Sequence, residues 1–246
     1  MSRNDEGSRR PAVAGRGSLA SLASRVPGAL AVAALTTLSA CAAKGTAIQL
    51  PAAQAMAREA ASASLPESAA RAVFGWTMVE PDARFSGEGV AHIAADERAR
   101  IDLFGPRGEG YLSAVLAGDA LVLPPDARSD VPVPPPALLW STIGVFRPPA
   151  AAEMTGARQS GDRITLEYAG NGERWRFTFE DDRLASAELD TGRGRQSVEL
   201  RGENAIGLPE QAVYRDHAAF RELVLTLVDA EPLTALPPEV WTLHGQ

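Results

Sequence analysis

From Val73 onward the chain alternates apolar and polar residues with a period of two, and no other feature constrains its fold as much. In segment 83–93, Phe85, Gly87, Gly89, Ala91 and Ile93 share one face, while Arg84, Ser86, Glu88 and His92 share the other. In 97–104, Ala99, Ile101 and Leu103 oppose Arg98, Arg100 and Asp102. Ile164, Leu166 and Tyr168 alternate with Arg163, Thr165 and Glu167; Trp175, Phe177 and Phe179 alternate with Arg174, Arg176 and Thr178. Gln196, Val198 and Leu200 repeat the pattern, as do Leu223, Leu225 and Leu227. Turn residues punctuate the runs: Gly105-Pro106-Arg107-Gly108, Gly118-Asp119, Gly170-Asn171-Gly172, Asp181-Asp182, Gly192 and Gly194. Half-buried strands joined by close turns predict a mainly β protein with an antiparallel meander of about ten or eleven strands. One face of each strand is apolar and the other charged, so a single sheet of this kind must curl around something on its apolar side. Gly87 and Gly89 mark where it bends.

The meander is broken once. A proline-rich connector, 124–136, leads into Ala137–Phe146, and Arg147-Pro148-Pro149 closes the segment. Prolines at both ends delimit a short helix. Leu138, Leu139, Trp140, Ile143, Val145 and Phe146 make it apolar on nearly every side, so it must be buried, most simply inside the curl. Upstream, Pro51 and the Ala-rich run to Ser64 predict an N-terminal helix. Residues 65–72 read as a further turn or two of helix. Near the C-terminus, Gln211–His217, Phe220–Val228 and Leu236–Leu243 read as strands.

The chain has one cysteine, and its position is informative. Ala29–Leu38 is an apolar run, preceded by Arg16 and Arg25 and too short to span a bilayer. It ends in Leu38-Ser39-Ala40-Cys41, which resembles the bacterial lipoprotein signal. There the thiol is acylated and the cysteine becomes the new N-terminus. The alternative is a free cysteine behind an ordinary signal peptide. On the lipoprotein reading, residues 1–40 are the signal, 41–50 a tether carrying lipidated Cys41, and 51–246 the folded domain. Several acyl chains anchor a protein stably, at about 0.8 kcal/mol per buried methylene. Ala42 and Ala43, with no Asp after the cysteine, resemble the signal for the outer membrane. Arg9-Arg10 lies too far from the apolar run to make a twin-arginine signal the preferred route.

Losing residues 1–40 removes five Arg and two acids and takes the net charge from −7 to −10. Such a domain is a poor nucleic-acid binder, because each phosphate contact needs a Lys or Arg. It has no charge affinity for an anionic membrane either, so the lipid is the expected attachment. The chain lacks G-x-S-x-G, H-E-x-x-H and a P-loop. His92, His217 and His244 are scattered, and Asp181-Asp182 reads as a turn. The expectation is a non-enzyme without cofactor or metal.

Taken together, the lipobox, the N-terminal helix, the strand ending Leu103-Phe104-Gly105-Pro106-Arg107-Gly108-Glu109-Gly110-Tyr111-Leu112, the buried helix Ala137-Leu138-Leu139-Trp140-Ser141-Thr142-Ile143-Gly144 and the late Val240-Trp241-Thr242-Leu243 resemble the LolA/LolB superfamily of periplasmic lipoprotein carriers and receptors. The resemblance covers most of 51–243 and rests on pattern and order. It implies an incomplete, strongly curved antiparallel barrel with helices over its open side. It also implies an apolar cavity for acyl chains of a lipoprotein or similar amphiphile, and a periplasmic carrier as partner. The expected cavity wall is Phe85, Ile101, Leu103, Leu139, Trp140, Ile143, Ile164, Leu166, Trp175, Phe177, Phe179 and Val198; for Trp175, Phe177 and Phe179, closed core is the other reading. In LolB the turn matching Pro106-Arg107 carries an exposed leucine that helps deliver lipoprotein into the membrane, so the resemblance implies that Pro106 and Arg107 form the membrane-facing turn. Arg107 departs from that pattern, since a charged tip enters hydrocarbon only at high cost. Two further readings stay open: a structural outer-membrane lipoprotein or interaction module on the same fold, and a hydrolase marked by polar groups converging in the cavity.

Overall fold

The computed structural model describes residues 45–125 and 133–243. Cys41 and the signal segment lie outside the described residues.

Thirteen strands form one antiparallel sheet that does not close on itself. In chain order they are β1 (Thr46–Ala47), β2 (Ala69–Glu80), β3 (Ala83–Ala94), β4 (Arg98–Phe104), β5 (Gly110–Ala117), β6 (Ala120–Val122), β7 (Glu153–Ser160), β8 (Arg163–Gly170), β9 (Glu173–Glu180), β10 (Arg183–Thr191), β11 (Gly194–Arg201), β12 (Gln211–Asp216) and β13 (Arg221–Leu233). Helix α1 (Leu50–Ala63) precedes β2, and α2 (Pro136–Thr142) lies between β6 and β7. The spatial order is β1-β7-β8-β9-β10-β11-β12-β13-β2-β3-β4-β5-β6. The chain thus runs β2 to β6, crosses by way of α2, and returns from the far edge so that β13 pairs with β2. An open, curved half-barrel results, as the one-sided strands require.

The alternating faces behave as the sequence predicts. Ala91, Ile93, Ala99, Ile101, Leu103, Leu166, Trp175, Phe177, Phe179, Ala187, Leu189 and Val198 are all buried in one core with α2. The opposite face carries cross-strand ion pairs, among them Arg176–Glu188 at 2.8 Å, Arg174–Asp190 at 2.9 Å and Arg221–Glu80 at 2.6 Å. Each pair in this solvated setting is worth at most about 1 kcal/mol. Their joint effect is to keep the outer face wet. Among the charged residues of this face Asp102 is buried, held by Arg100 (2.7 Å) and by the Ser113 hydroxyl. Arg100 also donates to the carbonyls of Val240 and Thr242, so the C-terminal segment covers this cluster.

Three expectations need correction. Residues from Ala69 are strand, not a continued helix, because β2 must supply a partner to both β13 and β3. The C-terminal stretch is no strand but a short 3-10 helix at Pro238–Trp241, since prolines 237 and 238 remove two ladder donors. The strand count rises to thirteen because β2 is added, along with β1 and β7, which carry almost no apolar alternation; in β7 only Ala157 is buried.

Candidate ligand-binding cleft

Helix α2 fills the centre of the curl. Leu138 and Trp140 are wholly buried, and the Trp140 indole donates to the Gly118 carbonyl at 2.8 Å. Just after the helix, Phe146 meets Phe177 and Phe179 edge-on, with both centroid distances 5.0 Å. Leu139, Ile101, Leu103, Trp175, Phe177 and Val198 therefore sit in closed packing. Ile143 borders a void of about 30 Å³ with Phe74, Ile93 and Leu208, a volume of the order of one water and lined by apolar groups.

The usable space lies to one side. Between α1 and strands β8 and β9 is a cleft of about 210 Å³, lined by Met56, Ala60, Ala63, Ile164, Leu166 and Phe179, with the exposed acids Glu59 and Asp182 beside it. A second space of about 440 Å³ shares Ala60, Ala63, Phe179 and Asp182 with it and continues past Leu65, Leu184, Leu200 and Ile206. Its size is within the range of about 300–1,000 Å³ that small-molecule sites occupy. The part between α1, β8 and β9 is mostly apolar, while the larger part is mixed, with Asp181, Asp182 and the Arg183–Glu203 pair along it.

Small side chains on α1 create this gap. Ala53 and Ala57 let the helix approach the sheet, and Ala60 and Ala63, a turn further on, are too short to fill the space above Phe179. Ser64 fixes the helix end: its hydroxyl donates to the Ala61 carbonyl at 3.1 Å and accepts the Phe146 N–H at 3.0 Å. The cleft thus brings together Ile164, Leu166 and Phe179 from the expected wall. Met56, Ala60, Ala63 and Leu184 were not in that set; alanines at helical spacing beside one methionine are the signal that points to them.

Phe85 is a correction. It shares the apolar face of β3 but is 39% exposed, because β3 runs past the end of β4 there. It packs on Tyr111 at 5.8 Å between ring centroids, and Tyr111 meets Trp76 in turn at 4.8 Å, with the rings tilted by 39°. Pro106 and Arg107 form an exposed turn tip, with the Arg107 side chain 91% exposed.

Electrostatics around the core are those of buried phenols. Burial pushes the Tyr168 hydroxyl up to about 12, and Tyr214 is also raised, first by burial and then by Asp216. Both stay protonated; Tyr214 donates to Gln196 Oε1 at 3.1 Å. Among the described residues no three His, Cys, Asp or Glu side chains converge as a metal site. Nor, among them, is any helix long and apolar enough to cross a membrane.

Solved structures share this arrangement. A LolA superfamily protein from Nitrosomonas europaea superposes with a TM-score of 0.52 at 17% identity, covering 77% of this chain and 97% of its own. The fold is LolA-like. A DUF1329 family protein from Desulfovibrio piger matches with a TM-score of 0.51 at 8% identity, over 78% of this chain and 96% of its own. No family model matches the sequence, and no curated protein does. At such identities the LolA-like likeness concerns the fold; the cleft must be argued from its own residues.

Proposed function

We propose that this protein is an outer-membrane lipoprotein, anchored through acylated Cys41, whose cleft between α1 and the sheet holds an acyl chain of a lipoprotein or other amphiphile. One observation carries the reading: the cleft between α1, β8 and β9 is apolar at its floor, through Ile164, Leu166, Phe179 and Met56, and polar at its edge, through Glu59 and Asp182. That gradient suits a chain with a polar head. Micromolar affinity needs about 8 kcal/mol, which about ten methylenes supply at about 0.8 kcal/mol each. The LolA-like fold supports the same reading.

A fluorescent fatty acid titrated into the domain tests it. Binding at micromolar concentration is expected for the wild type, and Ala60→Phe, which fills the cleft, should weaken it at least about tenfold while the melt stays cooperative. A second reading is favoured by the closed centre, where Trp140 and Phe177 are 0% exposed. It makes the domain a structural or protein-interaction module. If a folded wild-type domain binds no amphiphile at high micromolar concentration, that second reading stands instead.

A further inference from the structure

Strand directions decide which way the cleft looks. Strand β7 runs toward the turn at Gly161 and Asp162, and β1 lies antiparallel to it, Thr46 opposite Gln159 and Ala47 opposite Arg158. Traced backward from Thr46, the chain leaves the sheet past Ser160, where Gly45 lies against Gln159 and Ser160. In an antiparallel sheet alternate connections share a rim. The connections β3–β4, β5–β6, β7–β8, β9–β10 and β11–β12 therefore share the rim at which Gly45 departs. The cleft is bounded by two of these, at Asp181–Leu184 and 202–209, and by the end of α1. The turns carrying Arg107 and Phe220, which is 79% exposed, lie on the opposite rim.

Distances support a fixed orientation. Thr46, Gln159, Ile164 and Phe179 form one row across four strands, so Phe179 in the cleft is three strand spacings, about 14 Å, from Thr46. Four peptide units join Cys41 to Gly45 and reach at most about 14 Å. From rim to rim, the eight residues of β9 span about 26 Å. The geometry points to an end-on domain in which the cleft rim faces the bilayer that holds the anchor. Acyl chains then pass directly between that bilayer and the cleft, while the Arg107 turn and Phe220 look away into water. This rests on the lipidation of Cys41 proposed above, and it reverses the expectation that the Arg107 turn is the membrane-facing one. The cleft rim carries Asp96, Asp119, Asp162, Asp181 and Asp182, so the short tether rather than headgroup attraction holds it there.

The native chain has a single cysteine, so with Cys41 acylated an introduced cysteine is the only free thiol. Mature lipidated protein in zwitterionic liposomes would carry a fluorophore on Ala95→Cys or Asp162→Cys at the cleft rim, or on Arg107→Cys or Phe220→Cys at the other. With a quencher on the lipid headgroups, both cleft-rim labels should be quenched several-fold more than both far-rim labels. A long Gly-Ser insertion between Lys44 and Gly45 should erase the difference. Equal quenching at the two rims or stronger quenching at Arg107 and Phe220 would overturn the orientation alone; none anywhere would overturn it together with the anchoring on which it rests. None of these readings depends on cleft binding, which the fatty-acid titration decides separately.

Discussion

His92 is the residue whose surroundings make a pH-dependent claim. It lies on β3 between Arg71 of β2 and Arg100 of β4, and its Nδ1 is buried with no hydrogen-bond partner among the described residues. Burial is the main cause that lowers its pKa from 6.5; Arg71 and Arg100 add to this, while Asp102 opposes it. The fold therefore favours neutral imidazole, and below pH 6.5 the unfolded chain takes up the proton first. The stability contributed is present above that pH and lost as pH falls through the lower, folded value. His92→Gln should flatten the decline of the melting temperature between about pH 7.5 and pH 5. A variant that declines as steeply as the wild type would show that other groups govern the acid limb. A Cβ on Gly87 would collide with the Phe104 carbonyl, and one on Gly89 with the Phe74 ring. Trp76 lies by Gly87 and donates to the carbonyls of Glu88 (3.1 Å) and Phe104 (3.0 Å). Close approach of neighbouring groups, beyond any bend, is what excludes a side chain there.

Among the elements, α2 and the end of α1 are joined through few groups, and those groups are testable. Seven residues are too few for a helix to persist by itself in water. Its stability comes from Trp140 and Leu138, fully buried, and from Phe146 between Phe177 and Phe179. Trp140→Ala should cost about 3–5 kcal/mol. Ser64→Ala removes the acceptor of the Phe146 N–H, and an unmatched buried donor costs about 1–3 kcal/mol. Urea unfolding checks both; an unchanged midpoint for Ser64→Ala would mean that the end of α1 is not tied to α2 through this bond.

For the whole molecule, the membrane attachment proposed for this chain has one chemical handle. Cys41→Ser puts a hydroxyl of similar size in place of the thiol and so offers no sulfur for acylation. The variant should remain an unprocessed precursor, take no label from a palmitate analogue and leave the membrane fraction, while the wild type is labelled. Equal labelling of both would end the lipoprotein reading. The net charge of −10 after residue 40 gives no substitute attachment to anionic lipid, so loss of the acyl chains should mean loss of stable binding.

The period of two, the one-sided strands and the all-apolar proline-bracketed helix determined the fold class without coordinates. Alternation reports which side of a strand is dry, and a sheet dry on one side has few ways to hide it. Residues such as Phe177 and Val198 were legible as inward for that reason. What the period cannot report is whether an inward residue meets a partner or a gap. Phe177 and Ile164 sit alike in their alternating strands, yet Phe146 and α2 close the space around one and the short side chains of Ala60 and Ala63 leave it open beside the other. Asp102, in register with Arg98 and Arg100, reads as solvated, and only the fold of the C-terminal segment over it makes it buried. Even the rim on which the cleft opens follows from strand direction and pairing, which join residues more than a hundred positions apart, as Thr46 and Gln159 are. Local patterning set each strand's two faces; the tertiary structure decided the gaps between them, because a gap depends on side chains that belong to other elements.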